Sequence, residues 1–472
     1  MKRFTDMLAQ IDNIVWGVPT IAIILVCGIY FTVRLKGIQF RRLRLAMKLT
    51  MKRDSGEGEV SAFGALCASL AATIGTGNII GVASAIALGG PGALFWMMIA
   101  ALAGMATKYA ESLLAVKYRN FDSERHALGG PFYYIEKGMG RRWRWLAKLF
   151  ALCGASAGLF GIGTFTQVSG ITSSVQSYFD PRQEHILFAV DGRDMTFAVV
   201  VSGLVVGVLS ACVLIGGIKR IVRVSEIVIP FVGILFVGFN LTAILLNIRA
   251  VPNAFREIVR GAFGWDAAAG GTVGAMMMAM QKGVSRGIFS NEAGMGTAPI
   301  AAAAAKTDDA AHQGLVMMMG TFIDTVVMCM MTGLVIVMAG SWKPELGMEG
   351  VDITVLAFQR LMPFSPRISS FMVMLSLVIF AFTTIIGWNY YAERCFAYLT
   401  DERSVLMKIY RAAYAAAVFV GPYLTVGTVW MIADIFNGLM VLPNMIALFA
   451  LSGTAAKLTA DFYRKQKRTD LQ

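Results

Sequence analysis

Ala71-Ala-Thr-Ile-Gly-Thr-Gly-Asn-Ile-Ile-Gly81 is a hydroxyl-bearing run, interrupted by glycine at Gly75 and Gly77, inside a stretch otherwise apolar enough to cross a membrane. In hydrocarbon an unpaired N–H or C=O is so costly that backbone leaves the helix only where protein buries it or a polar cavity receives it. Half-helices of this kind hold an anion on their free N–H groups and a cation on their freed carbonyls. The segment predicts a small polar ligand bound near the bilayer midplane.

The rest of the chain fits that reading. Hydrophobic residues make up 57% of the 472 positions and charged residues 15%, with a mean hydropathy of +0.64, far from a soluble domain. The fold class is read as an all-α integral membrane protein. Apolar runs of about 20 residues, enough to span roughly 30 Å of hydrocarbon, recur at 14–33, 60–88, 92–116, 149–175, 196–218, 228–248, 273–291, 313–340, 370–392, 406–423 and 429–452. They amount to about eleven transmembrane helices. Lys2 and Arg3 precede the first run, but its length and the lack of a small-residue cleavage site predict a retained helix rather than a signal peptide.

The net charge of +13 is confined to alternate loops, the pattern of the positive-inside rule. No nucleic-acid partner is predicted; the charge serves orientation in a lipid bilayer, read as a bacterial inner membrane. Loop 34–59, with Arg34, Lys36, Arg41, Arg42, Arg44, Lys48, Lys52 and Arg53, is placed in the cytoplasm, which puts the amino terminus outside. The carboxyl-terminal tail then falls inside, and it carries Lys457, Arg464, Lys465, Lys467 and Arg468. Loop 177–195, with Asp180, Glu184, Asp191 and Asp194, falls outside. Loop 249–271 dissents: it is outside by count yet holds Arg249, Arg256 and Arg260.

The six cysteines show no paired or metal-ligand spacing and the three histidines all lie in loops, leaving little material for a Ser-His-Asp centre or a metal site. Enzymatic chemistry is not expected. No Gly-x-x-x-x-Gly-Lys-[Ser/Thr] run appears either, so nothing calls for ATP.

Residues 1–59 stand apart as an extra N-terminal helix and its basic loop. The remaining spans divide into two halves of five, 60–248 and 270–452, followed by a basic tail, 453–472. Each half opens on a defective helix. The first fails at Gly75–Gly81; the second fails within 273–291, where Gln281 and Lys282 interrupt the apolar run before Gly283, Arg286 and Gly287. Broken helices at corresponding positions point to an inverted repeat with the site between its halves.

Three segments resemble the signature regions of the alanine or glycine:cation symporters. They are Thr73–Gly81 with Gly89-Gly-Pro-Gly-Ala-Leu-Phe-Trp-Met-Met98; Gly283-Val-Ser-Arg-Gly-Ile-Phe-Ser-Asn-Glu-Ala-Gly-Met-Gly-Thr-Ala-Pro299; and Ala381-Phe-Thr-Thr-Ile-Ile-Gly-Trp-Asn-Tyr-Tyr-Ala-Glu393. The resemblance implies a leucine-transporter-type fold with the extra helix before its core. It also implies Na⁺ coupling, with alanine or glycine as the usual cargo and glutamine in some members. It makes Gly75-Thr76-Gly77-Asn78 the unwound segment whose amides hold the substrate carboxylate.

The candidate substrate residues are therefore Thr73, Gly75, Thr76, Gly77 and Asn78. The carbonyls of Ala71 and Ile74 would face a cation. Opposite them, Phe380, Thr383, Thr384 and Trp388 share one helix face by the i, i+3, i+4, i+8 rule. That face offers hydroxyl oxygen, which a hard cation prefers, beside an aromatic wall, so Thr384 and Trp388 are also placed against the substrate. The competing reading is that both threonines bond back to the preceding turn. Gln167 is read equally as a substrate partner and as glue between helices. Met277 and Met280 are expected to floor the pocket. Asp324, a carboxylate deep in a span, is functional by default, as a cation ligand or proton relay, or else is paired with Thr321 or Thr325. Lys108 and Glu111 read as a structural ion pair, and Ser290-Asn291-Glu292 as an inner gate or a helix cap. No obligate protein partner is expected, and the rival function is a channel or sensor that binds the amino acid without carrying it.

Overall fold

A computed structural model describes residues 2–52, 56–122, 126–190, 193–214, 217–264, 271–401, 403–424 and 426–469. Arg53, Asp191 and the 265–270 part of loop 249–271 lie outside them. The expected all-α membrane architecture is observed: among the described residues nine helices are long and apolar enough to cross a bilayer. The helices Ala62–Thr73 and Ile80–Gly89 are each too short to cross alone and follow one another as two halves. Apolar side chains remain on the outer faces: Ile227, Phe231 and Ile234 are exposed along Gly217–Leu246. An exposed stripe of that kind is expected where lipid is the solvent.

The chain begins with an amphipathic helix, Lys2–Val15, that turns at Trp16 and Gly17 into the crossing helix Val18–Arg34. The basic loop after it contains the short helices Ile38–Arg41 and Leu43–Thr50. Ser61 caps the next helix by accepting the amide of Gly64 at 2.7 Å. That helix ends at Thr73, a single 3₁₀ turn spans Thr76–Asn78, and Ile80–Gly89 resumes. Every residue from 64 to 83 is buried, so the break is shielded by protein, as its depth demands.

Three expectations are corrected. The span 149–175 is two helices, Arg144–Phe160 and Phe165–Phe179. Between them a side chain on Gly163 would stand 2.6 Å from the Gly158 carbonyl and 2.9 Å from Trp388 Cβ. The dissenting loop 249–271 contains a helix, Val251–Ala262, packed on Gly92–Tyr118; its Arg256 donates to Asn253 Oδ1 at 3.4 Å.

The third correction concerns the second break. Helix Thr272–Asn291 runs unbroken through Gln281, Lys282 and Gly283, and the helix stops at Glu292, which takes a left-handed conformation with φ 57°. Gly294 (φ 91°) and Gly296 (φ 81°) continue the irregular stretch before helix Ala298–Ala303. Positive φ at both positions suits glycine and penalises any other residue. Residues 287–305 are all buried. The polar residues taken for a break satisfy tertiary partners instead: Gln281 bonds the Trp16 carbonyl at 3.1 Å, and Arg286 bonds Asp434 at 3.0 Å.

Helix Ala310–Thr321 passes through a π-helical stretch, Phe322–Cys329, into Met330–Ala339. Pro366–Thr400 and Val426–Thr469 complete the core around the two breaks. Gly387 lets Pro366–Thr400 lie directly on Ala62–Thr73, because a side chain there would meet the Ala72 amide at 2.9 Å. Two short antiparallel hairpins, Asn120–Phe121 with Ala127–Leu128 and Ile186–Val190 with Arg193–Thr196, sit in connections.

Candidate substrate and cation site

The first break leaves the helix because its amides find other partners. The amide of Gly75, which would have bonded the Ala71 carbonyl, donates to Asn78 Oδ1 at 2.9 Å, and that of Thr76 donates to Gln167 Oε1 at 3.1 Å. These diversions take from the Ala71 and Ala72 carbonyls their ladder amides, and the Ile74 carbonyl, at the end of the helix, accepts from the Thr384 hydroxyl instead. Gln167 acts as glue: its Nε2 donates to the Ile162 carbonyl at 3.1 Å while its oxygen holds the break.

Thr384 closes the other side. Its Oγ1 lies 3.0 Å from the Ile74 carbonyl and 3.0 Å from the Phe380 carbonyl, and Thr383 Oγ1 is 2.8 Å from the same Phe380 oxygen. Both threonines do bond back to the preceding turn. Thr384 in addition crosses to the break, gathering hydroxyl and carbonyl oxygens from two helices at one point. That donor set is what a hard cation takes. Thr73 turns its hydroxyl to the Ser69 carbonyl at 3.0 Å, away from this point. Thr76 Oγ1 is buried and has no hydrogen-bond partner among the described residues.

Asp324 belongs to the same constellation. Its Oδ1 accepts from Asn78 Nδ2 at 2.8 Å, and its Oδ2 accepts from the hydroxyls of Ser290 at 2.8 Å and Thr325 at 2.7 Å. The pairing with Thr325 foreseen in the sequence is present, but so is a direct link to the unwound segment. Cys329 Sγ stands 3.3 Å from both Asn78 Nδ2 and Ser290 Oγ. Gly77 fits only because it has no side chain: a Cβ would lie 3.0 Å from Ser290 Cα. The π-helical register that aims Asp324 inward is of a kind concentrated at functional sites.

Glu292, which the sequence assigns to an inner gate or a helix cap and not to the substrate or cation site, meets Trp388 in the structure. At the second break its Oε1 accepts the Trp388 indole N–H at 2.6 Å and its Oε2 the Thr297 hydroxyl at 2.6 Å. Trp388, fully buried, is thus fixed in place. Lys108 donates its ammonium to the Asn291 carbonyl at 2.7 Å, holding the end of the first half of the broken element, and its charge acts on the carboxylates of Glu292, Glu111 and Asp324. Glu111 accepts from Asn444, which also bonds the Gly294 carbonyl and accepts from Tyr134. Met277 and Met280 do not line the site. With the helix intact to Asn291, Met280 is about 15 Å along the axis from Ser290 at about 1.5 Å per residue.

The two ends of the molecule differ. A cavity of about 580 Å³, lined by Ile80, Ser169, Ser173, Ser177, Asp352 and Trp430, leads down to one side of the first break. At the opposite end a second cavity, of about 600 Å³ and lined by Arg119, Thr307 and Asp309, lies beside a main-chain seam. Val60 and Ala305 form a parallel bridge, with Glu59 N on the Ala304 carbonyl at 2.8 Å and Lys306 N on the Val60 carbonyl at 2.7 Å. The Arg119 guanidinium binds four main-chain carbonyls across this seam, those of Ala303, Ala305, Glu57 and Thr307.

The sequence profile of the Sodium:alanine symporter family matches residues 1–472. An uncharacterized transporter of Haemophilus influenzae is 48% identical over 98% of this chain and 97% of its own. The sodium/alanine symporter AgcS of Methanococcus maripaludis is 40% identical over 98% of both chains. The probable sodium/glutamine symporter GlnT of Bacillus subtilis is 36% identical over 99% of this chain and 92% of its own. Among solved structures, MhsT in complex with L-phenylalanine superposes with a TM-score of 0.58 at 15% identity, covering 86% of this chain and 93% of that one. This likeness gives the fold, of the leucine-transporter type.

Proposed function

Since the chain belongs to the sodium:alanine symporter family and so is a cation-coupled amino-acid transporter rather than an enzyme, we propose that it is a Na⁺-driven importer of alanine or glycine in a bacterial inner membrane. The observation that carries this reading is the meeting of the two buried breaks. Released main-chain groups and the unpartnered Thr76 hydroxyl face a zwitterion at the place where Thr384 gathers the Ile74 and Phe380 carbonyls. The substrate carboxylate takes the Gly77 and Asn78 amides and the Thr76 hydroxyl, the Na⁺ takes the oxygens around Thr384, and Asp324 supplies a fixed carboxylate behind Asn78. Trp388, held by Glu292, limits the side chain to a small one.

The driving force is adequate. A tenfold Na⁺ gradient is worth about 1.4 kcal/mol and 100 mV of potential about 2.3 kcal/mol, so one ion per cycle sustains a several-hundredfold amino-acid gradient. The site opens to each side in turn as one helix bundle rocks against the other.

Counterflow in proteoliposomes, run across the twenty amino acids, tests the reading. A carrier exchanges labelled for unlabelled alanine and glycine and requires Na⁺. Preference for glutamine would replace the cargo, and binding without exchange would replace the transporter by a sensor. Thr384→Ala is expected to raise the Na⁺ concentration for half-maximal uptake about tenfold, the loss of one ligand worth about 1.4 kcal/mol. An unchanged Na⁺ dependence would remove Thr384 from the cation site.

A further inference from the structure

The element outside the transport core, helix Lys2–Val15 with Trp16, is bonded to both sides of an ion pair beside the open cavity. Arg286, one turn before Ser290, donates through both terminal nitrogens to Asp434, at 3.0 Å and 2.9 Å. Its guanidinium lies 4.8 Å above the Trp430 ring, which itself lines the cavity and packs against Phe289 with ring centroids 4.6 Å apart. The pair and the two rings therefore join helix Thr272–Asn291 to helix Val426–Thr469 at the mouth above the site.

Trp16 spans the same junction. Its indole N–H donates to the Asp434 carbonyl at 2.8 Å and its own carbonyl accepts from Gln281 at 3.1 Å, one bond to each of those helices. Gly438 makes room for it, since a Cβ there would meet Val15 at 2.2 Å. One turn earlier on the same face, Asp12 has a buried Oδ1 with no partner among the described residues, and the same holds for Arg286 Nε. The charged groups facing Asp12 are Asp434, Arg286 and Lys282.

We propose that Asp12 is the alternate acceptor for Arg286: when the two helices part, the guanidinium passes from Asp434 to Asp12, so that the mouth opens without stranding a half-buried charge. An arginine separated from its only carboxylate in such surroundings would resist opening. A second carboxylate within reach lowers that resistance, and Trp16 keeps it in register. Asp12 and Trp16 are positioning residues, acting on transport through Arg286 and not through the substrate.

The proposal rests on the chain being an alternating-access carrier, and the two can fail separately. Without Na⁺-driven exchange in the parent protein the carrier reading fails; with it, only the variants bear on Asp12. The experiment measures alanine uptake rate and KM in proteoliposomes, with thermal stabilisation by Na⁺ plus alanine as an independent measure of binding. Asp12→Asn is expected to lower the maximal rate about tenfold, with KM and stabilisation by ligand within about twofold of the parent. Asp12→Glu should restore most of the rate. In an Asp434→Asn background, where no exchange between carboxylates takes place, Asp12→Asn should have less than half its effect. A parent-like rate in Asp12→Asn overturns the proposal. So does an equal fall in Asp12→Asn and Asp12→Glu accompanied by a lower melting temperature, which would mark Asp12 as a packing residue only.

Discussion

Gly75→Val abolishes Na⁺-driven uptake while the protein still inserts and folds: this is the expected result, and the geometry gives its cause. A Cβ at Gly75 would lie 2.5 Å from Thr384 Oγ1 and 2.8 Å from Gln167 Oε1. Those are the two atoms that hold the break, one on the Ile74 carbonyl and the other on the Thr76 amide. The branched side chain pushes apart the helices that supply the cation's oxygens. Loss of two such contacts, at about 1.5 kcal/mol each, corresponds to uptake lower by roughly a hundredfold or more. Gly453→Ala, where a Cβ meets nothing within 4 Å, is the control and should leave uptake as in the parent. Uptake in the Gly75 variant above about a third of the parent, with undiminished stabilisation by Na⁺ and alanine, would mean the break is a mere kink.

Asp324→Asn is expected to be nearly as severe for transport and much milder for the fold. The hydroxyls of Ser290 and Thr325 can rotate to accept from an amide, so the hydrogen bonds around position 324 are largely remade; what disappears is the charge. A buried charged ligand is worth about 3 kcal/mol, or about a hundredfold in cation affinity. Uptake as a function of Na⁺, repeated from about pH 5.5 to 8.5, separates the two roles the sequence left open. A cation ligand shifts the Na⁺ curve at every pH, whereas a proton relay removes the parent's pH dependence. Curves coincident with the parent's on both axes would take Asp324 out of the site.

What could be read in advance, and what could not, divides along a physical line. The first break was legible because glycine and hydroxyl residues concentrate where apolar side chains are otherwise continuous, a local signal. The second was displaced by ten residues because Gln281 and Arg286 lower local hydropathy without ending the helix; Trp16 and Asp434 compensate them, and neither partner is near in sequence. The true end, at Glu292, carries its glycines in a run that reads equally well as a helix cap. Met277 and Met280 were misplaced by the same displacement. The pairing of Thr384 with Ile74 followed from helix periodicity and the family pattern. By contrast Glu292 with Trp388, 96 positions apart, and Lys108 with the Asn291 carbonyl, 183 apart, depend on how helices stack. The fold class was fixed by composition and span length; the kink at Gly161–Gly163 was not, since glycine in a membrane helix more often serves close packing.

The seam between residues 57–60 and 303–307 is made of main chain. Its amides and carbonyls pair with each other and with Arg119, and the approach is close enough to demand small residues, since a Cβ on Gly58 would lie 2.4 Å from the Ala305 carbonyl; the alanine-rich strip Ala301-Ala-Ala-Ala-Ala305 meets that demand. Opening that end exposes backbone groups that only solvent can then satisfy. Release of cargo is in this sense a wetting event: its rate should depend on water activity. Osmolytes excluded from the protein surface favour the dry, closed form, so sucrose or trimethylamine N-oxide should slow Na⁺-driven uptake while leaving equilibrium binding from the cavity side unaltered. Uptake rates indifferent to osmolyte would mean that the seam opens without taking up water.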